Sequence, residues 1–314
     1  MMFLVKLLIF MTMFWSTVSL AKGLEYIGIR AQMPSLEFDI DSLDESQSAS
    51  SDDSNRLDFV SKEPVILGFF ASYYGLGLGF SKTLQDEEGA SEYLDVDLSW
   101  YGDRVAFKLG LSRIEDFFVS EGYGDIDVDA LSDDELENEG VYLENVALDI
   151  TVTLIKFRLS LKEAFEAQTH PKKSGGGVIS IFTADRTYFD GPSFIIPESI
   201  QSYFGGDGTL LEGTLQSINL QLGWGHSIVM GSIYVSILGA FGPGTATVEY
   251  DLEDSTVEDT VEASKTTIMG AIGYSSKGLF LSLEADYRSQ EYILDSISFA
   301  TLRTSLSANL GYSF

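Results

Sequence analysis

The last ten residues, SLSANLGYSF (305–314), constrain this chain more than any other stretch. Leu306, Ala308, Leu310, Tyr312 and Phe314 alternate with Ser305, Ser307, Asn309, Gly311 and Ser313. An extended strand with that period has one apolar face and one polar face. In a soluble domain chain ends fray and gain little from burial, so a terminal aromatic on the most regular strand is out of place there. In a transmembrane barrel the last strand closes onto the first, and lipid favours an apolar outer face. The expected fold is all-β: a transmembrane antiparallel up-and-down β-barrel with long acidic outward loops. Tyr312 and Phe314 are then expected to be the assembly signal read by the barrel-assembly machinery. A secreted soluble β-sandwich is the competing architecture.

The amino end supplies a route to a membrane. Lys6 precedes an apolar run from Leu7 to Val18, and Ser19, Leu20 and Ala21 place small residues before a cut. This is the pattern of a secretory signal peptide over 1–21; the run is about 12 residues, against the ~20 of a spanning helix. Cleavage after Ala21 removes one charge, so 18 basic residues face 48 acidic ones and the net charge passes from −29 to −30. Nucleic acid is therefore excluded as a partner, and an anionic membrane surface is a poor one for the bulk of the chain. The chain has no cysteine. That removes disulfides, thiolate metal sites, catalytic thiols and the lipid-acceptor residue of a lipoprotein. Attachment must come from the fold, and the expected location is the outer membrane of a Gram-negative bacterium.

Alternation recurs along the chain. EYIGIRAQM (25–33) reads as a weak first strand, with Tyr26, Gly28 and Arg30 opposed to Ile27, Ile29 and Ala31, and Asp39 to Asp58 as an acidic Ser/Asp-rich loop. These make up a front segment, 22–63, ahead of a barrel over 64–314. A hairpin turns at Gly75, and the clearest hairpin runs from Tyr93 to Ser112 around Gly102-Asp103. Glu115 to Glu144 reads as an outward loop. Val146, Leu148, Ile150, Val152 and Leu154 resume an apolar face, and Phe157, Leu159 and Leu161 read as a returning strand. HPKKSGGG (170–177) reads as a loop, 178–188 as a strand and 189–214 as a longer connection. Regular strands follow to Phe314, with all six prolines expected in loops, turns or strand starts. Counting short periplasmic turns forward from Gly75 and backward from Phe314 disagrees by one strand near 175–215, so either a strand near Ser193 to Ile196 is missing or two are miscounted elsewhere. The expected number is about 12, between 10 and 14, and even.

Several segments resemble the bacterial proteins grouped as domain of unknown function 4421: Leu67 to Phe80, Tyr93 to Gly110, Phe157 to Phe182, Phe194 to Pro197, Leu222 to Val229 and Gly239 to Ala246. FRLSLKEAFEAQTHPKKSGGGVISIF (157–182) is the most specific, because strand alternation does not dictate Gln168 or Lys173-Ser174-Gly175. The resemblance implies an outer-membrane barrel and transfers no catalytic residue. The acidic insert between Glu121 and Glu139 departs from the family.

No catalytic, cofactor or metal site is expected. Asp125, Asp127 and Asp129 have the opening spacing of a calcium loop, but Ala130 replaces the turn glycine and Leu136 the closing glutamate. Loosely held divalent cations at the acidic loops are the remaining expectation there. His226 shares the outward parity of Leu222 and Trp224 while Ser227 points inward, so they make no dyad, and His170 lies in a loop. The polar faces should carry a lumen charge network of Asp95, Asp97, Lys108, Asp149, Lys156, Arg158, Lys162, Glu284, Asp286 and Arg288. Tyr73, Trp100, Tyr101, Trp224, Tyr274 and Tyr287 should form interfacial girdles. The expected role is a non-enzymatic structural or surface-binding barrel in outer-membrane lipid, with a narrow selective channel as the alternative and a lipid-modifying enzyme a distant third.

Overall fold

The computed structural model describes residues 24–42, 55–62, 65–83, 91–157, 161, 173–192, 194–276, 278–294 and 297–314. The signal-peptide reading, His170, Arg158 and Lys162 lie outside them. Among the described residues thirteen strands form one antiparallel sheet. In chain order they are β1 (Leu24–Ser42), β2 (Arg56–Ser61), β3 (Ile66–Tyr73), β4 (Leu76–Thr83), β5 (Glu92–Tyr101), β6 (Val105–Tyr123) and β7 (Glu137–Phe157). Then come β8 (Gly175–Asp190), β9 (Leu210–Met230), β10 (Ile233–Leu252), β11 (Thr256–Ser276), β12 (Leu279–Ile293) and β13 (Ile297–Ser313).

The terminal strand closes the sheet, as its alternation requires. β13 pairs with β1 from Tyr26↔Ser313 to Ser42↔Ile297, and the Phe314 amide donates to the Glu25 carbonyl at 2.9 Å. Closure leaves no free edge, which is the condition for sheet in hydrocarbon. The lower ring has 12 strands, an even number. β1 changes neighbours partway up, pairing with β3 up to Gln32 and with β2 from Glu37. β6 does likewise, leaving β5 after Glu115 and meeting β2 from Phe117. Above that level β2 alone stands in for β3, β4 and β5, so the barrel narrows to ten strands.

The front segment therefore belongs to the wall, which begins at Leu24 and not at 64. The loop read from Asp39 to Asp58 is strand at both ends, and the loop read from Glu115 to Glu144 is largely the outer halves of β6 and β7. Pro34 and Pro243 sit inside strands. Each lies where a ladder is interrupted: Pro34 in the gap between β1's pairing with β3 and with β2, and Pro243 where the β9 register omits 242 and 243. A missing N–H costs little at such a place.

The disagreement in strand count has one cause. Phe157, read as the start of a returning strand, is the last residue of β7, and Leu161 packs among Ala106, Ile179 and Leu238 at the barrel floor, while 158–160 and 162 lie outside the described residues. A bulge between Thr153 and Ile155 turns the inward parity from odd to even residues, imitating a change of strand. Phe194 to Ile196 adds no strand, and Ser193 lies outside the described residues. Ile195, Ile196, Ile200 and Phe204 pack into the upper interior from the β8–β9 connection, with a 3₁₀ stretch at Gln201–Thr209.

The outer face carries a broad apolar belt. Leu220, Leu222, Phe241, Ile237, Leu283, Leu306 and Leu78 are all more than 45% exposed. A soluble barrel does not present so large a continuous patch to water. The belt rises to about the level of Met33, Phe80, Leu111, Phe182 and Ile268, and then gives way to charge. Strands β7, β9 and β11 are 21 residues long, whereas a tilted strand crosses hydrocarbon in about 9–11. Roughly half of each long strand stands above the lipid.

Candidate functional site

The interior is two different compartments. In the narrow upper ring the inward positions are aromatic and aliphatic. Phe38 (β1), Phe59 (β2), Phe189 (β8), Tyr250 (β10) and Phe299 (β13) are all buried and meet across the axis. Phe38 lies 5.2 Å from Phe189 and 5.9 Å from Phe299, ring centre to ring centre, and Phe299 lies 5.9 Å from Tyr250. Strands on opposite walls meet through these rings. The Tyr250 hydroxyl donates to Asp207 at 2.9 Å, tying the 3₁₀ stretch over the plug.

Below the plug lies a polar chamber with a cavity of about 180 Å³. Four arginines or lysines and five acids of the wall pair across or along it. Arg288 reaches Asp149 at 2.7 Å and Asp286 at 2.9 Å. Lys265 reaches Asp185 at 2.9 Å, Arg30 reaches Asp97 at 3.4 Å and Arg303 reaches Asp95 at 3.6 Å. Neutral donors complete the shells. Thr183 donates to Asp149 at 2.8 Å, Ser217 donates to Asp185 at 2.9 Å, and Arg303 donates to the Tyr93 hydroxyl at 2.5 Å. Asn309 links two groups, accepting from Arg30 at 2.8 Å and donating to Glu284 at 2.9 Å. Charges removed from water at this cost persist only when paired and bonded in this way.

Two apolar clusters close the floor. Tyr26, Phe70 and Phe280 form one, with ring centres 6.0 to 6.4 Å apart. Ala106, Ile179, Ile181, Leu238 and Ala240 form the other around Leu161, whose amide donates to the Asp103 carbonyl at 3.3 Å. The chamber is thus a charged layer between apolar stoppers.

Of the residues expected in the network, Asp95, Asp97, Lys108, Asp149, Glu284, Asp286 and Arg288 line this cavity. Lys156 does not; it pairs with Asp103 at the turn before β6, because the bulge carries it below the chamber. Arg30, Asp185, Lys265 and Arg303 are additional members. Their positions follow from inward phases already visible on adjacent residues: Arg303 is two residues before Ser305, and Arg30 shares the face of Tyr26 and Gly28. Tyr101 is also displaced from expectation, lining the chamber while Trp100 faces lipid. Tyr73, Trp224, Tyr274 and Tyr287 are outward and well exposed. His226 lies outward of Ser227, whose hydroxyl meets Ser236 at 2.8 Å inside. Tyr312 and Phe314 stack edge to face at 5.3 Å on the outer surface. No group of three or more metal-binding side chains occurs among the described residues.

Outside the membrane, Arg56 on β2 donates to Asp39 at 3.0 Å and to Asp58 at 2.5 Å. Burial, and then the neighbouring Asp58, push the Asp39 carboxyl up to about 7, with Arg56 opposing. Asp39 Oδ1 has no hydrogen-bond partner, so Arg56 meets the carboxylate at one oxygen only and protonation relieves the rest of the burial cost where β1 pairs with β2.

Comparison with known proteins identifies the family. The family described as "Domain of unknown function (DUF4421)" matches residues 26–314. No curated protein matches the chain. Among solved structures, the outer membrane protease OmpT of Escherichia coli is similar at 9% identity and a TM-score of 0.45, over 93% of this chain and 97% of that one. The toluene transporter TodX of P. putida is similar at 9% identity and 0.26, over 95% and 92%. An anion-selective porin from Comamonas acidovorans is similar at 8% and 0.27, over 92% and 100%. At these scores the likenesses carry no argument.

Proposed function

This chain belongs to the DUF4421 family, and we propose that it serves the bacterial outer membrane as a non-conducting, non-enzymatic barrel whose work is done at its outer surface. The observation that carries this reading is the aromatic plug: Phe38, Phe189 and Phe299 touch across the narrow ring with almost no exposure. A ring of about 12 strands already has a narrow bore, and the ten-strand ring above it is filled with aromatic side chains. Export by a cleaved signal peptide, insertion through the Tyr312 and Phe314 signal, and outer-membrane lipid as the main partner belong to the same proposal, as do loosely held divalent cations at the acidic rim.

A narrow selective channel is the second reading, favoured by the charged cavity of about 180 Å³ beneath the plug. Planar-bilayer recording of purified protein separates the two. The sealed barrel gives no steady single-channel steps. Steps whose ion preference shifts on changing Arg288 or Arg303 would replace it with the channel.

A further inference from the structure

The charges that line the chamber do not all find partners. Arg30, Lys265, Arg288 and Arg303 each have a carboxylate at 3.6 Å or less. Lys108 on β6 lines the same cavity and forms no ion pair or hydrogen bond among the described residues. Its register neighbour on β7 is Asp149, but that carboxylate is taken by Arg288 and Thr183. On β12, Glu284 accepts from Ser282 at 3.1 Å and from Asn309 at 2.9 Å, and forms no ion pair among the described residues. Gln32 on β1 is 5% exposed, its Oε1 has no hydrogen-bond partner, and it too lines the cavity.

These three groups are placed by the sheet. In the ring of 12 strands β6 and β12 are six strands apart, so Lys108 and Glu284 belong to opposite walls. Gln32 and Glu284 lie in one row of the sheet on either side of Ser307. Two strand spacings are about 10 Å, so two acceptors stand together on the wall that faces Lys108. The cavity they share, about 180 Å³, has room for a small organic molecule, since one water needs only ~10–15 Å³. An ammonium and a carboxylate withdrawn from bulk water without ion partners each call for a counter-charge. One molecule that carries both signs supplies both.

We propose that the chamber seats a small zwitterion of the amino-acid class, its carboxylate on Lys108 and its ammonium on Glu284 and Gln32 Oε1. The paired charges around them are the frame that holds the three groups in place. The inference goes beyond the non-conducting reading: a barrel closed above and below holds a solute without passing it, and takes it up as the strands close. The test is native mass spectrometry of the full chain, folded into detergent micelles with β-alanine, propionate or propylamine and then freed of unbound ligand.

One β-alanine per chain is expected to stay bound until the protein is unfolded. Propionate lacks the ammonium and propylamine lacks the carboxylate, and each should be retained about tenfold less, the effect of losing one charge-assisted hydrogen bond. Lys108→Met and Glu284→Gln should each lower β-alanine retention by a similar factor, and Glu291→Gln on the outer face should not. If either chamber variant does not fold, as judged by its gel shift on boiling, the three-ligand series on the unaltered chain still decides. Retention of propionate equal to that of β-alanine overturns the proposal, because Lys108 would then act alone. Retention unchanged in Lys108→Met overturns it, and so does a folded chain that keeps none of the three and carries water alone in its chamber. Bilayer recording tests closure separately, so the two readings fail by different measurements.

Discussion

The upper and lower interiors of this barrel are walled by the same strands and solved differently. In the ten-strand upper part the inward positions of β1, β8, β10 and β13 are Phe38, Phe189, Tyr250 and Phe299, and they meet on the axis. Farther down the same strands the inward positions include Arg30, Thr183, Ser236 and Asn309, and the wall opens to 12 strands. A wider ring leaves more volume than side chains of one wall can fill by contact. Long charged side chains that bridge the gap in pairs fill it without a void, at the cost of desolvation. A narrower ring lets aromatic rings touch, and there the hydrophobic term suffices. β2 makes the difference: by replacing a three-strand segment it sets where the bore shrinks.

The contrast can be broken most strongly from above. Phe299→Ala removes the ring that touches Phe38, Phe189 and Tyr250 and should cost about 3–5 kcal/mol of unfolding free energy, read by urea titration of protein folded in micelles. In the chamber, Lys265→Met strands the buried Asp185 carboxylate and should cost about 3 kcal/mol. Adding Asp185→Leu should recover most of that loss, because an apolar pair needs no partner. A double variant no better than the single one would show that the chamber charges do more than fill space. On the exposed wall, Glu144→Gln leaves Arg113 with Glu115 and should change stability by about 0.5 kcal/mol or less.

A separate effect is on pH and sits where β1 pairs with β2, level with the plug. Asp39 titrates near 7 in the folded chain and at the ordinary carboxyl value when unfolded, so the folded form holds a proton that the unfolded form has lost. Stability of the β1–β2 seam should therefore fall as pH rises from about 4 to about 7. Amide exchange of Leu57 and Phe59 should accelerate over that window, and Asp39→Asn should remove the dependence.

Much of this was legible in residue order, because a strand of period two states its own inside and outside. Asp95 and Asp97, and Glu284, Asp286 and Arg288, line the interior cavity on the face that alternation gives them. What escaped did so for physical reasons. The bulge at Thr153 to Ile155 reverses parity without changing composition, so Lys156 and Phe157 read as a new strand. Pro34 reads as a terminator, although an interrupted ladder tolerates it inside β1. The plug was illegible because Phe38, Phe59, Phe189 and Phe299 are far apart in sequence, and nothing local says that ten strands bring them together.

In the sealed barrel proposed above, the chamber is shut off from water on both sides while the belt faces lipid. The chain has no cysteine of its own, so single introduced thiols report cleanly in vesicles. With a membrane-impermeant maleimide, Glu258→Cys on the outer rim should react rapidly and Leu222→Cys on the belt should resist, its attached lipid-sensitive probe reporting hydrocarbon. Ser99→Cys, which lines the chamber, should stay unlabelled until the protein is unfolded. Labelling of Ser99→Cys at the rate of Glu258→Cys would mean an open lumen and would contradict the account.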